Sequence, residues 1–314
     1  MIKRWKLNER GLIYMTQAII DIGSNSMRVT VYEIEGDTFH ILFKERIMAG
    51  LASYVENGIL SREGIECACG GLLEFREILA ALNIEHVAVF ATASLRNIQN
   101  TEEVIAALKE VTGYDVEVLS GEEEAILGYS GAMKNINLES GAFVDIGGAS
   151  TEVVVFANRR VLDTASFSVG SLSLYKKCVK NIVPGSGSQK RLNKVIANEM
   201  KSHKFVRVED KLTLVGVGGT SRAVMRIAKK LYDLPSECNM LSAKQLNDLC
   251  SQLCKPDKNM IDIILKMEPS RIHTFIPGSM ILQHTFQLMK ADRFVVSDYG
   301  VREGYLSKRV MKNE

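Results

Sequence analysis

The sequence is sparing with several features, and each shortage removes a class of protein. Six cysteines in 314 residues are too few for a disulfide-framed domain. Neither Cys67/Cys69 nor Cys250/Cys254 has the CxxC spacing, or a histidine at the matching interval, that a zinc site requires. All six are expected to be reduced structural thiols. No apolar run approaches the ~18 residues that span a bilayer, and residues 1–15 lack the apolar core and cleavage site of a secretory signal. A cytoplasmic protein with no membrane partner is therefore expected. Excess charge is missing too: the net is +2, and no DNA partner is expected. No Ser/His/Asp arrangement, Walker loop or HExxH zinc motif occurs.

What is present is an ordinary globular composition, 46% hydrophobic and 24% charged, in a chain long for one core and comfortable for two. An internal repeat supports two. From Ala18 the chain reads AIIDIGSNSMRVTVY, and from Ala142 it reads AFVDIGGASTEVVVF. Asp21 falls on Asp145, Gly23 on Gly147 and Ser26 on Ser150. That spacing is far longer than a solenoid unit, so it predicts two related domains rather than a stacked array. Charge is unevenly spread: Ser171 to Lys230 holds 14 Lys and Arg against 3 Asp and Glu, while the rest holds 25 against 34. Such an excess suits a polyanion, although a lysine-rich solvated helix surface reads the same way.

Apolar patterning predicts strands at 18–22, 29–34 and 39–46, a helix over 63–82, a strand at 86–90, a helix over 101–111 and a strand at 116–119. Ser120 followed by Glu123 forms a capping-box signature for the next helix. The second half repeats the opening with strands at 142–145, 151–156 and 160–165, then a helix over 171–180. A flexible loop is expected at Pro184–Ser188, followed by a helix over 189–201 and a strand at 212–215. After a glycine turn at 216–219 the chain reads as mostly helical, apart from a strand at 293–296, and closes with a helix over 300–311. Strands alternating with helices predict an α/β protein with a mixed sheet in each domain and a ligand site in the cleft between them.

Several stretches could carry chemistry. Asp21-Ile22-Gly23-Ser24-Asn25-Ser26 ends a strand in a carboxylate and turns through small residues whose amides could surround a phosphate. A tight hairpin has the same look, but two copies favour loops that enclose a polyphosphate from both sides. The second copy, Asp145 with Gly147, Gly148, Ala149 and Ser150, adds Glu152 where the first has Arg28. Two carboxylates at a hairpin mouth suit Mg²⁺, which takes few protein ligands and bridges to phosphate oxygens; alternatively, Glu152 points to solvent. Gly218-Gly219-Thr220 lies between a strand and a helix, another anion-site geometry. In Ser120–Glu124 the capping box and the helix dipole account for Glu123 and Glu122, which leaves Glu124. It shares a helix face with Gly128 and Gly131, as expected beside a cleft or a close backbone contact, and could act as general base on a water. Arg96 could grip a phosphate with its planar fork or be a surface arginine. His273 reads as a core or helix-end histidine.

Taken together, DIGSNSMR, ATASLRN, LSGEEEA, VDIGGASTE, VGVGGTSR, RIHTFIPGSMIL and SDYGVREGYL resemble the exopolyphosphatase and guanosine pentaphosphate phosphohydrolase family, within the actin-like, sugar-kinase and Hsp70 ATPase superfamily. The resemblance runs from about Gln17 to Leu306. It implies two actin-like (ribonuclease H-like) domains with an interdomain active-site cleft: a leader over 1–16, expected to be disordered, an N-terminal domain over 17–124 plus 299–314, and a C-terminal domain over 125–298. It implies that Glu124 is the catalytic base and that Asp145 and Glu152 hold Mg²⁺ or another divalent cation, with Asp21 a further candidate. Gly23, Ser24, Asn25, Ser26, Arg96, Gly147, Gly148, Ala149, Ser150, Gly218, Gly219 and Thr220 are then the phosphate-binding set. The implied activity is release of orthophosphate from inorganic polyphosphate, with guanosine pentaphosphate 5′-phosphohydrolase as the alternative. A homodimer is implied as well. A weakly catalytic nucleotide-binding regulator and an ATP-dependent kinase of the same superfamily are the remaining rivals. Two departures stand out. Ala149 replaces the third glycine of the usual GGGSTE, at a cost of about 1–2 kcal/mol if the position needs positive φ. The helical C-terminal domains of longer members are expected to be absent, which puts processive handling of long chains in doubt.

Overall fold

The computed structural model describes residues 6–7, 13–208, 212–254 and 256–311. The chain divides into two compact units, Met1–Ser120 with Arg309–Glu314, and Gly121–Lys308.

The first unit contains β1 (Lys6–Leu7), β2 (Ile13–Ile22), β3 (Met27–Glu35), β4 (Thr38–Ile47), the short strands β5 (Val55–Glu56) and β6 (Ile59–Leu60), α1 (Arg62–Ala81), β7 (Val87–Ala91), α2 (Ala93–Arg96), α3 (Thr101–Thr112) and β8 (Val116–Val118). Its main sheet runs β4-β3-β2-β7-β8. β2, β3 and β4 form an antiparallel meander, and β7 and β8 join in parallel. The meander turns at Gly36, whose φ of 58° is open to glycine at no steric cost. α1 starts at Ser61, whose side chain accepts a hydrogen bond from Gly64 N, and its Ala68, Leu72, Phe75 and Leu79 stripe is buried against the sheet.

The second unit contains α4 (Gly121–Ala132), β9 (Gly141–Ile146), β10 (Thr151–Ala157), β11 (Arg160–Phe167), α5 (Ser171–Cys178), α6 (Ser186–Met200), β12 (Leu212–Val217), α7 (Gly218–Leu231), β13 (Met240–Ser242), α8 (Ala243–Cys254), α9 (Lys258–Met267), α10 (Phe275–Leu288), β14 (Ala291–Val296) and α11 (Val301–Tyr305). Its sheet runs β11-β10-β9-β12-β14-β13. Again an antiparallel meander, β9-β10-β11, is joined in parallel by the next long strand, β12. The internal repeat of the sequence is thus a repeat of sheet topology. Strand alternation sends Ala142, Val144, Val153 and Val155 into a large core with α7, α8 and α10, and Phe143, Val154 and Phe156 into a smaller one under α4.

The expected mixed α/β architecture is present in both units. Some details differ. Residues 121–124 and most of the closing segment lie in the second unit, because α11 crosses α4 at backbone contact: a Cβ on Gly304 would stand 1.8 Å from Leu127 O, and one on Gly131 would stand 1.9 Å from Gly300 O. Of the expected leader, Lys6–Leu7 and 13–16 belong to β1 and β2, and the remainder lies outside the described residues. The expected loop at Pro184–Ser188 is largely a helix start, with Gly185 as N-cap of α6. β13 occupies a stretch that reads as helical. Among the described residues none of the six cysteines is in a disulfide, and no helix is long and apolar enough to cross a membrane.

Candidate active site

In the second unit Asp145 closes β9 and Glu152 opens β10, and the two are direct partners across the antiparallel ladder. Directly opposed residues project from the same face. Here alternation makes that the face of Phe143, Val154 and Phe156, covered by α4. Like charges placed so cost stability, so the pair needs compensation. Glu152 is fully buried, which excludes a solvent-facing role, and its Oε1 accepts a hydrogen bond from Ser166 Oγ at 2.9 Å.

The turn between the two acids is closed by Gly147 N donating to Ser150 O at 3.0 Å. α5 then fixes it from outside: Ser171 N donates to Gly147 O, and Leu172 N and Ser173 N both donate to Gly148 O, each at 2.9 Å. Gly170 is needed for this docking, since a Cβ there would lie 2.4 Å from Ala149 N and from Gly148 C. Among the described residues, those with positive φ include neither Ala149 nor Gly147 nor Gly148. The strain considered for alanine at 149 is therefore absent.

α4 carries the third acid. Glu124 lies in its first turn and is only 7% exposed. The bare face it shares with Gly128 and Gly131 is a close contact: a Cβ on Gly128 would meet the Phe143 ring at 2.8 Å, and Gly131 meets the α11 backbone. Since α4 covers the Asp145–Glu152 side of the sheet, all three acids belong to one side of one sheet. Among the described residues no three Asp, Glu, His or Cys converge as a ready-made metal cage. Two hard carboxylates paired across a ladder nonetheless fit Mg²⁺, which uses one or two carboxylates and completes its shell with water and phosphate.

The third element is the start of α7. β12 pairs in parallel with β9, Val217 beside Asp145, and the helix begins at the next residue. Gly218 has φ 78°, and a Cβ there would stand 2.5 Å from Asp145 Oδ1, so both backbone and space require glycine. At Gly219 the constraint comes from Arg271, whose guanidinium would lie 2.0 Å from an added Cβ. Thr220 is buried beneath Gly278.

The first unit holds the other copy. Gly23 N donates to Ser26 O at 3.2 Å, the same turn as Gly147–Ser150, and Ser24 O and Asn25 O accept from Ala52 N and Gly50 N. Gly23 is required because a Cβ would stand 2.9 Å from Ser26 O, not because of positive φ. Asp21 is opposed by Arg28 across β2 and β3, where the second copy opposes two acids. Arg96 ends α2 and donates from Nη1 to Leu119 O at 3.0 Å. His273 packs its ring on Tyr175 with centroids 4.9 Å apart.

Residues 30–313 match the Ppx/GppA phosphatase family. The chain belongs to that family. Among family relatives, the Aquifex aeolicus Ppx/GppA structure superposes with a TM-score of 0.77 at 27% identity, covering 95% of this chain and 98% of that one. Exopolyphosphatase 2 of Mycobacterium tuberculosis is 23% identical over 307 residues, 91% of this chain and 96% of its own. A bifunctional 3-dehydroquinate synthase/phosphatase of Fusobacterium nucleatum is 26% identical over 300 residues; the match takes in 90% of this chain and spans 45% of that longer protein.

Sequence reasoning missed the arginines of this Ppx/GppA unit. Glu268, 5% exposed, takes ion pairs from Arg226 and from Arg271, the latter at 3.6 Å, and so fixes Arg271 over the first turn of α7. Arg222 lies one helical turn beyond Gly218. The signal in VGVGGTSR was present, but only Gly218, Gly219 and Thr220 were read.

Proposed function

We propose that this chain is an exopolyphosphatase, hydrolysing the terminal phosphoanhydride bond of inorganic polyphosphate to orthophosphate and a chain one unit shorter. The observation that carries the reading is the placement of buried Glu124 on the helix that covers the face where Asp145 and Glu152 oppose one another. Glu124 orients a water and accepts its proton as the water oxygen bonds to the terminal phosphorus. The P–O bond to the next phosphate breaks, and its electron pair stays with the shortened chain. Asp145 and Glu152 are the residues that would hold Mg²⁺, which when bound offsets charge on the phosphoryl oxygens. The amides of Gly148–Ser150, in the turn that Gly147 N closes, and of Gly218–Thr220 donate to the same class of oxygens. For the first unit we assign phosphate binding to the Gly23–Ser26 turn and Arg96.

Guanosine pentaphosphate is the rival substrate for the same chemistry. The basic excess between Ser171 and Lys230 favours the longer polyanion. The deciding measurement is orthophosphate release from polyphosphates of defined length and from guanosine pentaphosphate. Faster turnover of the polyphosphates is expected. Release from guanosine pentaphosphate alone would replace this reading, and a phosphorylated acceptor in place of free phosphate would make the chain a kinase.

A further inference from the structure

The carboxyl ends of β9, β12 and β14 lie side by side, with Val217 beside Asp145, Gly216 beside Val296, and Ser297 N bonded to Gly216 O. Asp145 and Asp298 therefore stand at the same edge of the sheet, where ligands of parallel α/β sheets collect. Arg222 is carried to that edge by α7. It lies four residues after Gly218, on the same helical face, and side chains on a helix lean back toward its N-terminus. Gly218, bare and against Asp145 Oδ1, leaves the path open.

The guanidinium is in an unusual position. Arg222 keeps some exposure as a residue, but its charged end is packed closely enough that desolvation depresses its pKa. The like charges of Arg302 and Arg226 push the same way, while Asp145 and Asp298 oppose them. Among the described residues Arg222 has no hydrogen bond or ion pair within the chain. Arg226, one turn further along, is by contrast held by Glu268. Arginine has five N–H donors in a rigid fork and stays charged in proteins, so a packed guanidinium calls for an acceptor. Water could serve, but a planar fork suits two oxygens of one phosphate better.

We infer that Arg222 is a substrate-binding residue that takes two oxygens of a polyphosphate phosphate at the carboxyl ends of β9 and β12. The inference rests on the reading of this face as the polyphosphate site, and it adds an anion ligand that the glycine loops and carboxylates alone do not supply.

The test is calorimetric titration of the full chain with tripolyphosphate in the presence of a chelator, which removes any metal contribution. Wild type is compared with Arg222→Gln and Arg222→Lys, with folding checked by circular dichroism. Losing a charged, two-point contact should weaken binding about tenfold or more in the glutamine variant. Arg222→Lys, which keeps the charge but not the fork, should be weakened by a smaller factor, about threefold or more. Should the glutamine variant fail to fold, the lysine variant decides the matter. Wild-type binding with folded variants within about twofold of it overturns the role of Arg222 and leaves the proposed function standing. Absence of wild-type binding overturns both.

Discussion

Glu124 and Ala149 show how single residues separate chemistry from geometry. Glu124 is held in a nearly water-free position on a helix whose placement is fixed by backbone contact, so replacing its carboxylate by an amide changes proton affinity and little else. Glu124→Gln should lower turnover by about 10²–10⁴-fold, the usual worth of a general base, while tripolyphosphate affinity stays close to wild type. Full activity in that variant would remove Glu124 from the mechanism. Ala149 makes the opposite case. Its φ is not positive, so restoring the glycine of the usual motif relieves nothing and enlarges the unfolded ensemble. Ala149→Gly should therefore destabilise the protein by about 0.4–1 kcal/mol, read as a lowered midpoint in urea. A stabilised variant would mean that alanine is strained there after all.

At the scale of elements, the decisive contact is the crossing of α4 and α11. Gly131 and Gly304 lie at the crossing, and each meets the opposing segment's backbone rather than a side chain. A methyl group at Gly304 has nowhere to go unless the helices separate. Gly304→Ala should cost about 1–3 kcal/mol and, by moving α4, should lower kcat more than it changes substrate affinity. A variant with unchanged stability and kcat would show that the crossing does not set the position of Glu124. This contact also marks the limit of what the sequence discloses. The two meanders were legible because strand alternation and the DIGS and DIGG turns are local signals, and the bare face of α4 was legible as a run of small residues. What that face packs against was not, since Gly300 and Gly304 are remote in the chain, and a closing helix over 300–311 carries no local sign of which helix it meets. β13 escaped for a similar reason: three residues ending in Ser242 carry no periodicity, and only pairing with β14 makes them a strand. Arg222 and Arg271 resemble any surface arginine until β12 and Glu268 place them.

For the whole molecule the relevant quantity is the distribution of charge rather than its total. A net charge of +2 would steer a polyanion only feebly. The 14 basic residues against 3 acidic ones between Ser171 and Lys230 belong to the second unit, which also carries Glu124, Asp145 and Glu152. The same stretch contains α5, whose amides lock the Gly147–Gly148 carbonyls, and α7, which carries Gly218 and Arg222. Attraction of a long substrate to such a region acts over several phosphates and is screened over a Debye length of about 10 Å at 0.1 M salt. A short substrate gripped only at its terminus depends on close contacts that salt weakens less. Raising sodium chloride from about 50 to 300 mM should therefore increase KM for long polyphosphate severalfold, with a smaller change for tripolyphosphate and little change in kcat for either. Equal salt sensitivity at both lengths would assign the basic stretch to a solvated surface, and the preference for long chains would then have to come from the terminal phosphate site itself.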